Sequence, residues 1–142
     1  MDNEIKLGVI GDPIDHSMSP YIHAQFAKAA GLKINYKPFH VVERDLNEFI
    51  ESFFAEGGYG PNVTLPHKLN CVRSADILSG EVELLGAANT LSKNNNNKII
   101  ASSTDGLGFI KDCSDKNIEI LRLKNHNGLI IILKLQNLKM LT

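Results

Sequence analysis

The amino-acid sequence predicts an α/β domain built on a mostly parallel sheet. Two observations carry this expectation. Short apolar runs alternate with segments of helical periodicity, and glycines close most of those helical segments. A third observation, a polar turn between two strand-like runs, adds an antiparallel piece. The chain has 142 residues, 43% hydrophobic and 22% charged, enough for one core but not for two.

Ile5–Gly11 is an apolar run ending in Gly-Asp-Pro, which predicts a buried strand entering a loop. Ser19-Pro20 opens a helix, with serine suited to the N-cap and proline to the first helical position. Ile22, Phe26 and Ala30 share one face, and Gly31 stops the helix. Residues 35–42 form the next strand candidate. Asp45 starts a helix that places Leu46, Phe49, Ile50 and Phe53 at core spacing before Gly57-Gly58. Residues 61–65 predict a third strand, and Pro66 a helix to about Ala75. A short helix over 81–85 ends at Gly86. Strands over 88–92 and 98–103 flank the turn at Asn94–Asn97, and Asp105-Gly106 leads into a helix through Leu107, Phe109 and Ile110.

The formal net charge of −1 gives no sign of nucleic acid or an anionic membrane as partner. It conceals an asymmetry: 10 basic and 14 acidic residues up to 112, then 5 and 2 from 113 onward. Leu, Ile, Lys and Asn supply 20 of those last 30 residues, with no clean helical or strand period, although Ile130–Leu133 suits a strand. The acidic start, Met-Asp-Asn-Glu, lacks the apolar stretch of a secretory signal. The longest apolar run, Leu129–Leu133, is too short to span a bilayer. Cys71 and Cys113 suggest neither a zinc site nor a disulfide framework, and the histidines lack metal-ligand spacing. No metal and a cytoplasmic location are the expectations.

Three segments hold more polar groups at loop positions than packing needs. His16-Ser17-Met18-Ser19-Pro20 lies between a strand and a helix N-terminus, where unpaired N–H groups favour a carboxylate or phosphate. The plainer reading leaves Ser19 as a cap and Ser17 facing water. In Asn62-Val63-Thr64-Leu65-Pro66-His67-Lys68, Asn62 and Thr64 leave one sheet face. Lys68 falls in the first turn of the expected helix, where the dipole disfavours a cation and suits it to proton transfer, unless it is an ordinary solvated lysine. Ser103-Thr104-Asp105-Gly106-Leu107-Gly108 runs from strand to helix, with Asp105 as a candidate N-cap. Its Gly-x-Gly lacks the third glycine of a dinucleotide fingerprint. Asn89-Thr90, at a strand start, is a fourth polar pair.

In order, G-D-P-I-D-H-S-M-S-P (11–20), G-G-Y-G-P-N-V-T-L-P-H-K (57–68), G-A-A-N-T (86–90) and S-T-D-G-L-G (103–108) resemble the N-terminal substrate-binding domain of shikimate dehydrogenases. The resemblance runs from about Lys6 to Asp112. It implies an open twisted sheet, mostly parallel, with helices on both faces. It further implies that Ser17 and Ser19 bind the substrate carboxylate and that Thr64 and Lys68 reach the ring hydroxyls. Asn62, Asn89 and Asp105 complete the pocket, and Lys68 and Asp105 form the catalytic pair. The implied reaction is the reversible reduction of 3-dehydroshikimate to shikimate with NADPH, in chorismate biosynthesis. Lys68 then serves the oxygen on which charge builds, and Asp105 orients the lysine.

Two residues depart from the family pattern: Ser103, where asparagine is usual before T-D-G, and Pro61, before N-V-T. After Asp112 the glycine-rich loop of an NADP-binding Rossmann domain does not follow, and Lys134-Leu135-Gln136 succeeds the apolar run. Residues 1–112 are therefore expected to form the substrate-binding domain. Residues 113–142 read as a divergent tail from truncation or frameshift, which leaves the isolated chain inactive. A non-catalytic shikimate-binding module and a non-functional fragment are the alternatives. A monomer or homodimer is expected.

Overall fold

The computed structural model describes residues 4–125 and 128–135. The first three residues, residues 126–127 and the stretch from Gln136 onward lie outside it, and with them the start of the chain on which the reading of no signal rests. Two compact units divide between Ser103 and Thr104.

The first unit is a six-stranded sheet. Strand β1 (Ile5–Gly11) leads to helix α1 (Ser19–Ala30) and β2 (Ile34–His40). A 3-10 turn at Glu43–Asp45 precedes α2 (Leu46–Ala55) and β3 (Gly60–Val63). A second 3-10 segment, Asn70–Ser74, is followed by β4 (Ile77–Leu78), α3 (Gly80–Leu85), β5 (Thr90–Lys93) and β6 (Ile99–Ser102). The strand order is β2-β1-β3-β5-β6-β4. Strands β2, β3, β6 and β4 run with β1, and only β5 opposes them. The mostly parallel sheet with an antiparallel insertion is as expected. The two-residue strand β4 was not: it is too short to show a period of two.

The register sorts the two faces. Ile10 pairs with Val63, and Leu91 with Ala101, so these four point into the core. Leu46, Ile50, Phe53 and Phe54 of α2 pack there, joined by Cys71 and by Val82 of α3. Each of the large aliphatic and aromatic side chains among them contributes about 1.5–3 kcal/mol when taken out of water. The opposite face carries the row Val9, Asn62, Thr90 and Ser102. Helix α1 lies on this side, because His23 stacks on Tyr36 of β2, which pairs with Leu7. Helices therefore cover both faces.

Three local expectations need correction. Helix α1 begins at Ser19 itself, with Met18 at the cap position and no side-chain cap bond, so Ser19 does not cap it. Residues 66–75 do not form an α-helix. Ala88 N–H donates to the Lys68 carbonyl at 2.8 Å, which competes with the bond that would continue a helix from that carbonyl. The chain tightens instead into turns and a 3-10 segment. Asp105 is the first residue of helix α4 (Asp105–Asp115) rather than its cap, which is Thr104. Gly31 does close α1, with φ +67° and its N–H on the Ala27 and Lys28 carbonyls.

In the second unit, α4 contacts strand β7 (Ile118–Asn125), which pairs antiparallel with β8 (Gly128–Leu135). The strand expected at Ile130–Leu133 lies within β8; β7 was missed, because its apolar alternation slips at Leu121. No described helix is long and apolar enough to cross a membrane.

Candidate functional site

A cavity of about 200 Å³ opens beyond the C-terminal ends of β1 and β3, lined by Val9, Pro13, Ile14, His16, Ser17, Ser19 and Thr64. Its walls come from two sequence segments that the sheet brings side by side. Thr64 N–H donates to the Ile10 carbonyl at 2.9 Å, and Asp12 N–H to that of Leu65 at 3.1 Å. Gly11 makes this approach possible: a Cβ there would meet Thr64 Cγ2 at 2.7 Å and Ile14 Cδ1 at 2.8 Å. The Asp12–Ser17 loop folds back through Ser17 N–H to the Ile14 carbonyl, 3.0 Å. Ser17 Oγ accepts the Ser19 N–H at 3.3 Å, so a serine still serves the helix start, though not the one expected.

Polar side chains extend from this cavity along the sheet face. Tyr36 Oη donates to Asn62 Oδ1 at 2.8 Å. Asn62 Nδ2 donates to Thr90 Oγ1 at 3.2 Å and to the Asn89 carbonyl at 3.5 Å. Thr90 Oγ1 in turn donates to Asn89 Oδ1 at 2.9 Å. Burial pushes the Tyr36 phenol up to about 12, partly offset by the neighbouring Ser19 side chain. Burial also lowers the pKa of His23, whose ring stacks on Tyr36 at 4.3 Å and 14°.

Backbone bonds hold the remaining first-unit candidates in the same region. Val63 N–H donates to the Asn89 carbonyl at 2.8 Å, and Asn89 N–H to that of Ser102 at 3.0 Å. Lys68, half-buried, lies in the turn that follows Thr64, tied by its carbonyl to Ala88. Because no α-helix begins there, the helix-dipole argument for Lys68 falls, and its position is set by this backbone tie. His67 anchors the same turn from beneath, fully buried with Nε2 donating to the Val41 carbonyl at 2.6 Å. Ser17, Ser19, Asn62, Thr64, Lys68 and Asn89 thus all stand in the first unit, each half-buried. Asp105 is an exposed first-turn residue of α4 in the second unit, where the dipole favours a carboxylate.

Tyr36 escaped the sequence reading. Its signal was a tyrosine on the strand face opposite Phe39, which only the register reveals as the face of Asn62. Among the described residues no group of three His, Cys, Asp or Glu could hold a metal. Gly106 and Gly108 are helical residues of α4 rather than a loop ahead of it. Gly106 and Gly108 therefore form no loop of backbone N–H groups for a pyrophosphate.

A parallel α/β sheet with a polar cavity beyond its strand ends defines a domain that binds a small polar molecule. The chain belongs to the family described as the shikimate dehydrogenase substrate binding domain, whose model matches residues 9–91. It is 43% identical over 105 residues to "Shikimate dehydrogenase (NADP(+))" of Jannaschia sp., covering 74% of this chain and 38% of that protein. The likeness to the same-named protein of Cereibacter sphaeroides is 46% over 102 residues, 72% and 37%. Shikimate 5-dehydrogenase from Listeria monocytogenes, solved in complex with shikimate and NAD, superposes with TM-score 0.75 at 32% identity, over 79% of this chain and 38% of that one. The chain thus spans about two fifths of the length of these relatives.

Proposed function

We propose that this chain carries the substrate-binding site of an NADP-dependent shikimate dehydrogenase, an oxidoreductase that interconverts 3-dehydroshikimate and shikimate. The observation that carries the reading is the cavity where Ser17, Ser19 and Thr64 converge beside Asn62 and Asn89. In this reading the substrate carboxylate docks at Ser17 and Ser19, near the N-terminus of α1, where the helix dipole favours an anion. Thr64, Asn62, Asn89 and Lys68 meet the ring hydroxyls. Lys68 and Asp105 are the proposed catalytic pair. The ammonium group stabilises, and then protonates, the ring oxygen as the carbonyl is reduced, and the carboxylate orients it. NADP is the cofactor in the relatives' name and is proposed for the whole protein. Residues 1–112 are the proposed substrate-binding domain and 113–142 a separate segment, in a cytoplasmic monomer or homodimer.

Shikimate titrated into the 142-residue chain by calorimetry tests this reading. Binding is expected, weakened at least tenfold by Ser17→Ala, at the carboxylate, and by a smaller factor by Thr64→Val, at a neutral hydroxyl. Loss of one hydrogen bond to a charged group costs about 1.5–3 kcal/mol. NADPH with 3-dehydroshikimate is expected to show no absorbance change with this chain, since Gly106 and Gly108 lie within α4 and form no pyrophosphate loop. Absence of shikimate binding would overturn the proposed site. Shikimate binding without NADPH oxidation fits equally a non-catalytic shikimate-binding module. Lys68→Ala and Asp105→Asn, measured for kcat in a protein that includes a dinucleotide-binding domain, test the catalytic pair.

A further inference from the structure

We propose that Tyr36 is a positioning residue for the substrate pocket, orienting Asn62 and, through it, the Thr90–Asn89 row by a hydrogen-bond chain of fixed direction. The proposal rests on the substrate site described above and adds a residue on a strand that contributes nothing to the cavity lining.

Counting hydrogens sets the direction. Asn62 Nδ2 is committed outward, to Thr90 Oγ1 and the Asn89 carbonyl. The Asn62 atom facing Tyr36 is therefore Oδ1, which can only accept, so the phenol must donate to it. A phenol has one hydrogen, and Tyr36 spends it on Asn62. Thr90, accepting from Asn62, spends its own hydrogen on Asn89 Oδ1. The chain reads Tyr36 to Asn62 to Thr90 to Asn89. It fixes which end of each asparagine amide points where. His23, stacked on the phenol ring, keeps that ring in place. The phenol is protonated, and thus a donor, across ordinary pH.

The experiment is a calorimetric titration of shikimate into the full chain and into Tyr36→Phe, Asn62→Ala and their double variant. An amide NMR spectrum of each verifies the fold. Tyr36→Phe, which removes a single oxygen, is expected to weaken binding about tenfold, roughly 1.4 kcal/mol. The double variant is expected to bind no more weakly than Asn62→Ala, because Tyr36 acts through Asn62. A purely structural role would lower the melting temperature and leave the two losses additive. Unchanged affinity in Tyr36→Phe, or additive losses, overturns the proposal. If Tyr36→Phe does not fold, Thr90→Val cuts the same chain one link further on, and unchanged affinity there overturns it equally. A wild-type chain that binds no shikimate fails with Tyr36 in place, which marks the failure as that of the underlying substrate site.

Discussion

Tyr36 and Gly11 show how single residues shape the cavity without supplying its chemistry. The raised pKa of Tyr36 has a consequence for stability. Its folded value of about 12 lies above the ordinary 10.0, so the unfolded chain loses its phenolic proton first as pH rises. The stability tied to the protonated phenol is complete below about pH 10 and drains away toward pH 12. Thermal melts across that range are expected to fall more steeply for wild type than for Tyr36→Phe; parallel curves would refute this. Gly11→Ala is a steric counterpart. The added methyl meets Thr64 and Ile14 inside 3 Å and must force a separation between the segments that line the cavity. A loss of about 1–3 kcal/mol in urea unfolding is expected, as for other over-packed sites. Shikimate affinity is expected to fall with it.

At the scale of elements, α2 carries the core and α3 leaves much of its surface to water. Ile50 has no exposed area and packs with Ile10, Val63 and Leu91 in the same cluster, so Ile50→Ala is expected to cost about 2–5 kcal/mol. Leu84 on α3 is 85% exposed, and Leu84→Ala is expected to stay within about 0.5 kcal/mol. Urea denaturation of the two variants side by side tests the contrast. Elements of this kind were legible in advance, because Leu46, Ile50 and Phe53 recur at helical spacing and Gly31 marks a stop. The segment after Pro66 was not. Its helical appearance gave way to a bond between the Lys68 carbonyl and Ala88, twenty residues away, which local sequence cannot announce. The hairpin of β7 and β8 was half legible: the apolar run of β8 suggested a strand, whereas the slipped alternation of β7 hid its partner.

For the whole molecule, the decisive event is the pairing of β1 with β3 in parallel and of β3 with β5 in opposition. It sets the loop after β1 beside Thr64 and lays Asn62 next to Thr90, joining three motifs separated in the chain. The four motifs, their order and their residue types belong to the sequence by itself, and so do the alternating elements and the family. Each depends on local spacing and local chemistry. The tertiary structure alone decided which strand faces share a row, that Tyr36 stands on the row of Asn62, and that Lys68 is held by a turn rather than a helix. Register and long-range backbone bonds arise between distant segments, and a hydrogen bond between Tyr36 and Asn62 exists only once the sheet has set them side by side.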